Sequence, residues 1–524
     1  MMKKKAVALV LAAGLSAGML SGCGTGNGDS KNTDELPEIT TYMPYFKLGN
    51  AQCIADEIGK LAGVKFNPLS SAGSSEGVQR SALIVTTGEK VNWVNIDNAQ
   101  PFKQWGEEGV VNNLQPYIEK YKDELPVLNM IVNDPIFKGF KGSNGEIYAI
   151  PEVNYVTNSA LRMNKAWLEE IGAETPQTLD EITEILRKFK SVASKEDSAV
   201  PYSAGSLSDF SWVFYAYGGR LYSGGYPKYY EKDGEFLPYD ISDMNKEALK
   251  YVRNLYQEGL VNEDWQILST TGTDSHNNFV SGKAGMIFGA GGTDEELYQN
   301  KGTVSEWLPA PEGPTGIKSY GGEAPYWLFG VIPSSISEEK DIYNTLKFIE
   351  WMHSEEARKL CCYGIEGRHY EMKDGKIDYT AHKENMDADF GIGQNSNFEW
   401  GWVSPYKGAL DPKYGTVSEA VANIKLFEVV KKEPVDENYM EYIKFMSQWI
   451  EPYKYSSYIN DDLKFTANAA IELTDKFYSQ AITSKSFDFD KEWEKFKEQY
   501  MNEYKGKECL EIFKKIAEET ESEK

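Results

Sequence analysis

Short apolar runs alternate with amphipathic stretches along the first two thirds of the chain. Strand-like runs are predicted over these segments: 39–43, 64–67, 91–96, 145–151, the second half of 279–288, and 326–332. Helical spacing fills the intervals, and the first such helix spans 53–62 and ends at Gly63. Strand–helix–strand order predicts parallel sheets with helices on their faces, which is an α/β fold.

Two helix starts are marked by side chains that can cap them. Thr178 and Glu181 have the S/T-x-x-E spacing of a capping box, and apolar residues follow at helical intervals. A second helix is predicted to begin near Ser242 and to end at Gly259. Beyond the last predicted strand helices dominate, over these segments: 337–352, 355–362, 417–432, 437–450, 461–483 and 488–520.

The N-terminus has the pattern of an export signal. A basic start, Lys3–Lys5, precedes the uncharged run 6–20, which is shorter than the roughly 18–20 residues that span a membrane. The following Leu20-Ser21-Gly22-Cys23 resembles the lipobox of bacterial lipoproteins, in which the cysteine becomes the acylated N-terminus. We therefore interpret 1–22 as a lipoprotein signal peptide and 23–35 as a lipidated Cys23 with a flexible polar tether. The alternative is an ordinary signal peptide followed by a chance cysteine.

Charge and composition narrow the choice of partners. The 524 residues carry 55 Lys and Arg against 80 Asp and Glu, a formal net charge of −25, and no basic block follows residue 5. Nucleic acid is therefore not an expected partner. Hydrophobic residues make up 41% of the chain, enough for real cores. The length allows two to four domains or two large lobes, at roughly 100–200 residues per domain.

Motifs for catalysis and metal binding are scarce. The four histidines, His276, His353, His369 and His382, lie in no H-E-x-x-H pattern, and no G-x-S-x-G, P-loop or C-x-x-C sequence occurs. We expect no enzyme activity, no cofactor and no metal. The four cysteines after Cys23 (Cys53, Cys361, Cys362 and Cys509) are interpreted as buried small apolar residues, with a disulfide left open as an alternative.

Several segments together resemble the extracellular solute-binding proteins of bacterial ABC importers, and among these the carbohydrate-binding lipoproteins that include the alginate-binding proteins. The resembling segments are GEIYAIP (145–151), LRMNKAWLEEIGAETPQTLDEITEILRKFK (161–190), FVSGKAGMIF (279–288), FIEWMHSEEARKLCCYGIEGRHYEMKDGKI (348–377) and the helical C-terminus from 487. Each is weak alone, but their order together with the lipobox is specific.

The resemblance implies a periplasmic-binding-protein-like fold of type II, with two α/β lobes joined by hinge strands and a helix-rich C-terminus. Lobe 1 would comprise 36–152 plus 326–405, and lobe 2 would comprise 153–325 plus 406–524. One departure concerns calcium. The alginate-binding relatives carry a calcium loop rich in Asp, Asn and Gly after the helix that corresponds to 179–190, but residues 191–198 here lack that pattern.

The implied function is a lipid-anchored, monomeric protein on the extracellular face of the cell membrane. It would capture a carbohydrate, in our interpretation an oligosaccharide, between its lobes and deliver it to the transmembrane subunits of an ABC permease. The membrane would be contacted through the lipid anchor only. A peptide ligand remains the first alternative, and a surface-anchored polysaccharide hydrolase or lyase is the second, since such an enzyme needs only two suitably spaced carboxyl groups.

Aromatic rings can cover the C–H faces of a sugar, while Asp, Asn and Arg can bond its hydroxyl groups. Aromatic residues make up 13% of the chain, with 33 Tyr and 12 Trp. On this basis the candidate ligand-binding residues are Tyr45, Asp97, Asn98, Tyr155, Trp212, Tyr215, Trp327, Arg368, Trp400 and Trp402.

Each candidate has an ordinary structural alternative. Trp212 and Tyr215 are three residues apart, which also suits a buried helix face. Asp97 could cap the following helix, and Arg368 could form a surface ion pair instead of binding an acidic ligand. Trp400 and Trp402 flank a glycine without apolar periodicity, which favours a binding role more than for the other aromatic residues.

Overall fold

Two main β-sheets, each with its own hydrophobic core, organise the part of this protein that the structure describes, and two smaller sheets have two strands each. The computed structural model describes residues 36–522 except for positions 45, 47, 72–73, 98–100, 143, 154–159, 267–272, 290–292, 322–325, 391–408, 426, 429, 431–447, 450–452 and 456–457.

Strands and helices follow the predicted order along most of the chain. The strands are β1 (Glu38–Tyr42), β2 (Lys65–Leu69), β3 (Trp93–Asp97), β4 (Ile150–Val153), β5 (Ala160–Asn164), β6 (Val200–Tyr202), β7 (Tyr229–Lys232), β8 (Glu235–Pro238), β9 (Ala284–Gly289), β10 (Ser305–Trp307), β11 (Tyr326–Val331), β12 (Glu371–Lys373) and β13 (Lys376–Asp378). The helices are α1 (Gln52–Ala62), α2 (Ser74–Thr87), α3 (Phe102–Glu107), α4 (Gln115–Lys120), α5 (Pro126–Asn133), α6 (Lys165–Ile171), α7 (Leu179–Ala193), α8 (Ser211–Ala216), α9 (Asp243–Gln257), α10 (Thr273–Val280), α11 (Thr293–Lys301), α12 (Glu339–Met352), α13 (Glu355–Tyr363), α14 (Lys383–Phe390), α15 (Val417–Ala422), α16 (Asp461–Thr483), α17 (Phe489–Asn502) and α18 (Gly506–Ser522).

The first sheet has the strand order β2-β1-β3-β11-β4. β1 runs parallel to both β2 and β3, as the strand–helix–strand pattern predicts, whereas β11 is antiparallel to β3 and to β4. Its core is mainly aliphatic, with Ile54 and Ile58 from α1 and Leu346 and Ile349 from α12 packed around the sheet.

The second sheet has the order β10-β5-β9-β6, with β6 parallel to β9 and the other pairs antiparallel. Its core is rich in aromatic side chains, among them Trp212, Trp265 and Trp493. The C-terminal helices α16 and α17 contribute to this core, which places these two helices with the second sheet.

The chain passes from one sheet to the other twice, each time between strand ends of the two sheets. Residues 154–159 connect β4 to β5, and residues 322–325 lead from the second sheet into β11. β4 and β11 are neighbours in the first sheet, where Val153 pairs with Tyr326. In the second sheet Ala160, the first residue of β5, pairs with Gly289 at the end of β9. We call these strand ends the crossing edge, and they confirm the expectation of two α/β lobes joined by hinge strands.

The predicted helix boundaries agree well where local signals are strong. Gly63 and Gly172 end α1 and α6 in the left-handed conformation, with φ of 68° and 61°. Thr178 and Glu181 form both bonds of the capping box at the start of α7. The strand predicted over 145–151 begins later, at Ile150, and ends at Val153. The backbone of Ile147 is bonded to Leu114 and Asn113, in the loop before α4, and not to a neighbouring strand.

The helix predicted over 488–520 is wrong as one continuous element. It is broken between α17 and α18, where Lys505 has a φ of 64° and a Cβ at Gly506 would lie 2.4 Å from the Tyr500 ring. The two halves serve different cores. Trp493 of α17 packs in the second core, whereas Phe513 of α18 packs in a third cluster with β7.

The structure also bears on the expected lobe boundary at 405, a C-terminal helix, the cysteines and membrane-spanning helices. Leu410, Val417 and Ala420 pack in the first core, so the chain keeps contact with the first lobe beyond residue 405. The helix expected at 437–450 falls largely outside the described residues. Cys53, Cys361, Cys362 and Cys509 are thiols that do not form disulfides in the described part of the chain, and the last three are buried. Among the residues that the structure describes, no helix combines the length and apolar character that crossing a bilayer requires.

Candidate functional site

Two of the predicted ligand residues have their backbone at the crossing edge. Asp97 ends β3 beside Leu328 of β11, and Trp327 lies in β11 itself, so the backbone positions of these two candidates are at this edge. Five other predicted ligand residues, Tyr45, Asn98, Tyr155, Trp400 and Trp402, lie outside the described residues, as does Cys23.

Tyr215 is the predicted ligand residue whose side chain lies beside Gly321, where the chain begins its second crossing between the lobes, at 322–325. Its half-buried ring lies against Gly321, the last described residue before the crossing into β11. A Cβ at Gly321 would lie 2.4 Å from this ring, so any larger residue there would displace Tyr215.

Arg220 joins Tyr215 in an arrangement that the sequence analysis missed. Its guanidinium carbon lies 5.4 Å from the centre of the Tyr215 ring and 5.5 Å from that of Tyr453. We call Tyr215, Arg220 and Tyr453 the aromatic–arginine platform. The available signal was the arginine that follows Gly218 and Gly219 directly after the aromatic helix α8.

Asn245 fixes the backbone that carries Arg220. The Arg220 N–H donates to Asn245 Oδ1 at 3.1 Å, and Asn245 Nδ2 donates to the Arg220 carbonyl at 2.8 Å. Asn245 is fully buried, and its Nδ2 also donates to the hydroxyl of Tyr478 at 3.1 Å. Because a buried amide with these partners has little freedom, the backbone of Arg220 is held in place near Tyr215.

Tyr453 connects the platform to β7. Its hydroxyl accepts from the Tyr229 N–H at 2.8 Å and donates to the Tyr229 carbonyl at 3.0 Å. Burial raises the pKa of Tyr453, so the phenol stays neutral, although the charge of Arg220 acts in the opposite direction. The Lys228 ammonium lies 5.0 Å from the same ring. Two cationic side chains, Arg220 and Lys228, therefore lie against tyrosine rings here, and Tyr453 is buried beneath them.

Trp212 lies elsewhere, inside the second core. Its side chain has no solvent-exposed surface, and its Nε1 donates to the hydroxyl of Tyr202 at 3.2 Å. The rings of Tyr202 and Tyr251 meet it edge-on, at 6.2 and 6.3 Å between centroids. Trp212 therefore lies on a buried helix face, which was the structural alternative to a ligand-binding role.

Arg368 belongs to a polar cluster on the first lobe. Its guanidinium bonds Asp389 Oδ2 at 2.8 and 2.9 Å while the Arg368 side chain remains 51% exposed, which is the surface ion pair weighed as its alternative. His369 Nε2 lies 2.9 Å from the same oxygen, and Cys53 Sγ donates to it at 3.4 Å. Burial alone would raise the pKa of Asp389, but the bonds from His369 and Arg368 hold it below its ordinary value.

Cys53, His369 and Asp389 are close enough to be considered as metal ligands. Their ligand atoms lie within 4.8 Å of one another. However, His369 Nδ1 accepts the N–H of Ile365 at 2.8 Å, which leaves the ring proton on Nε2, the nitrogen that faces Asp389. The Arg368 guanidinium also bonds the Asp389 carboxylate, the same oxygen that a metal ion would need. The donor set therefore fits a hydrogen-bonded clamp between α1 and α14 better than a metal centre.

Comparison with known proteins identifies the class. A family model for bacterial extracellular solute-binding proteins matches residues 54–359, more than half of the chain. The chain belongs to this family.

Named relatives support the assignment. Lipoprotein LipO of Bacillus subtilis (strain 168) is 26% identical over 396 residues, covering 71% of this chain and 75% of LipO. The polygalacturonan/rhamnogalacturonan-binding protein YtcQ of the same organism is 23% identical over 275 residues, covering 51% of this chain and about half of YtcQ, 53%.

A solved structure shows the fold. The ABC-transporter substrate-binding protein FusA of Streptococcus pneumoniae in complex with kestose superposes with a TM-score of 0.63 at 18% identity, covering 94% of this chain and 100% of FusA. The fold is thus the type II periplasmic-binding-protein-like fold that the family resemblance implied.

Proposed function

We propose that this chain is the carbohydrate-binding component of an ABC importer. The observation that carries the proposal is membership of the solute-binding family, together with relatives named for polygalacturonan, rhamnogalacturonan and fructooligosaccharide binding. The aromatic–arginine platform agrees with it in chemistry, because tyrosine rings can cover the C–H faces of a sugar and a guanidinium can donate to its oxygens.

The mechanism is capture between two hinged lobes. A ligand that touches both lobes at the crossing edge favours the closed arrangement by as much as its affinity differs between the open and closed states. The closed form then presents both lobes to the transmembrane subunits of the permease. No chemical turnover of the sugar is part of this cycle, and the chain acts as a monomer.

The test is a ligand screen on the purified chain. Oligosaccharides and peptides are compared by thermal shift, because a ligand that binds only the native state raises its stability. Stabilisation by oligosaccharides is expected. Stabilisation by peptides alone would favour the peptide alternative, and consumption of a polysaccharide with turnover would favour the hydrolase or lyase.

We further propose that Cys23 carries the lipid anchor that holds the chain at the extracellular face of the membrane. The lipobox-like residues before Cys23 and the similarity to the lipoprotein LipO support this. Cys23→Ser is expected to release the protein from the membrane fraction of producing cells, because the acyl chains are its only predicted attachment. Unchanged membrane retention of this variant would contradict the anchor.

A further inference from the structure

Asp240 is a fully buried carboxyl group of the second lobe. It belongs to the short 3-10 helix Tyr239–Ile241, which follows β8. The hydroxyl of Tyr500, in α17, donates to Asp240 Oδ2 at 3.1 Å, whereas that of Tyr478, in α16, donates to the main-chain carbonyl at 2.7 Å. Within the part of the chain that the structure describes, Oδ1 has no hydrogen-bond partner. One neutral donor is little support for a buried negative charge, so this environment favours the protonated group.

The carboxyl group lies among the contacts that hold α18 against β7. The Tyr229 ring of β7 stacks on Phe513 of α18, with 4.2 Å between centroids, and Cys509 of α18 packs in the same cluster. Burial raises the pKa of both Tyr229 and Cys509, and the charge of Asp240 acts on both in the same direction. We call Asp240, Tyr229, Tyr500 and Cys509 the carboxyl joint, because they connect β7, α17 and α18.

Charged and titratable groups surround Asp240 on several elements. They are Tyr222 and Lys228 before β7, Tyr229 in β7, Asp475 and Tyr478 of α16, Tyr500 of α17 and Cys509 of α18, while Asp243 of the following α9 is exposed. Burial raises the pKa of Asp240 to about 7, although the bond from Tyr500 acts against it. The negative charge of Asp475 raises this pKa further, whereas the positive charge of Lys228 lowers it.

We propose that Asp240 makes the carboxyl joint sensitive to pH: its proton keeps α17 and α18 packed against β7, and its ionisation lets them open locally. Local opening of this kind has its own free energy, smaller than that of unfolding the whole chain. The device works without a ligand and goes beyond the proposed function.

The joint also supports the aromatic–arginine platform. The Tyr478 hydroxyl, which bonds the Asp240 carbonyl, accepts from the buried amide of α9 that holds the Arg220 main chain. The main chain of Tyr229 bonds the Tyr453 hydroxyl. Opening of the joint therefore loosens the support of two platform residues.

The direction of the pH effect follows from the raised pKa. An acid whose pKa is higher in the closed joint than in the open one stabilises the closed joint fully below about pH 4. This contribution is lost as the pH rises towards about 7, the pKa in the folded chain. The open fraction is expected to increase about tenfold or more between pH 5 and pH 7 and to level off above that range.

The test measures how fast the Cys509 thiol reacts in the purified native chain. Cys509 is fully buried, so 4,4′-dithiodipyridine, which reacts with thiols at acidic and neutral pH, reaches it only when the joint opens. Mass spectrometry locates the modified thiol, and each rate is divided by that of the denatured chain at the same pH. This corrected rate is expected to rise about tenfold or more from pH 5 to pH 7 in the wild type and to stay nearly constant in Asp240→Asn.

Tyr500→Phe and Tyr478→Phe form a matched pair of variants. A hydrogen bond to an ionised carboxyl group favours ionisation, so loss of the Tyr500 hydroxyl is expected to move the levelling-off to higher pH. Tyr478→Phe removes a bond to the Asp240 main-chain carbonyl instead, and is expected to leave that pH unchanged. This pair carries the test even where Asp240→Asn does not fold.

Cys361 shows whether the opening is local. It is a fully buried thiol of the first core, and in the wild type it is expected to react at least about tenfold more slowly than Cys509 at pH 7. Equal rates at the two thiols would mean that the whole chain opens and would overturn the joint. A wild-type pH profile in Asp240→Asn, or the same shift in both tyrosine variants, would overturn the role of the carboxyl group. All of these outcomes leave the proposed function as it stands, because no ligand is present.

Discussion

The two lobes hold a buried carboxyl group in different ways. In the second lobe Tyr500 donates to Asp240 Oδ2, and Tyr478 donates to the Asp240 carbonyl at 2.7 Å. In the first lobe Glu152 Oε2 has no such partner, although one oxygen of Asp240 also lacks one within the described residues. Asp240 is thus built into the packing of three elements, whereas Glu152 stands at the crossing edge. The difference shows that a carboxyl of the second lobe is tied to side chains far along the chain, whereas the carboxyl of the first lobe is not.

The two hydrophobic cores also differ in composition. Aromatic side chains are a minority in the first core, although Phe102 and Phe329 stack there, whereas they are more numerous in the second, where the ring centroids of Phe477 and Phe496 are 4.1 Å apart. Many of the aromatic residues whose abundance suggested sugar binding therefore serve packing in the second lobe. Their number alone is a weak guide to the ligand.

Trp493→Ala should have the largest effect and tests whether the cores are energetically separate. Trp493 is fully buried against Phe477 and Phe496, so the truncation is expected to cost about 3–5 kcal/mol of folding free energy. Denaturant unfolding measures the loss. Hydrogen exchange should accelerate in β5 and β9 more than in β1 and β3, and equal acceleration in both sheets would show one cooperative core instead.

Asp240→Asn tests the buried carboxyl of the second lobe through pH. Burial raises the pKa of Asp240 from 3.8 to about 7 in the folded chain. Folding therefore favours the protonated form, and this contribution to stability is complete below about pH 4 and is lost as the pH rises towards 7. The wild type should be less stable than the variant at pH 8, by about 2–4 kcal/mol, with the difference shrinking towards pH 4. Parallel melting curves for both proteins across this range would contradict the raised pKa.

Arg220→Lys tests the aromatic–arginine platform and rests on the proposed function. Lysine keeps the charge but loses the planar fork that bonds two oxygens and stacks on rings. Affinity for a bound oligosaccharide is expected to fall about tenfold in calorimetry, with little change in melting temperature. Unchanged affinity in Arg220→Lys would remove Arg220 from the site.

Thr178→Ala should have the smallest effect and concerns the second lobe alone. The change removes the side-chain bond to the Glu181 N–H at the start of α7, at an expected cost of about 1 kcal/mol. Thr178→Ser, which keeps the hydroxyl, should restore most of the stability in denaturant unfolding. A cost as large as that of Trp493→Ala would mean that α7 depends on more than its cap.

Sequence patterns predicted the features, such as helix starts and ends, that depend on residues close together in the chain. The capping box at Thr178, the end of α1 at Gly63 and the full extent of α16 were all predicted, because helix starts and stops are set by bonds within a few residues. The order of strands and helices and the resemblance to a family likewise needed only the chain itself. These were enough to predict a two-lobed α/β protein.

The tertiary structure decided which individual side chains are buried, anchored or left without a partner. Tyr500 bonds Asp240 across 260 positions, and Asn245 fixes Arg220 across 25. Trp212 and Tyr215 share one short helix, yet one is sealed in the core and the other lies at Gly321. Periodicity is a property of a segment, whereas burial and hydrogen bonding depend on which distant segments the fold brings together, and therefore only the packed lobes distinguish a core residue from a ligand residue.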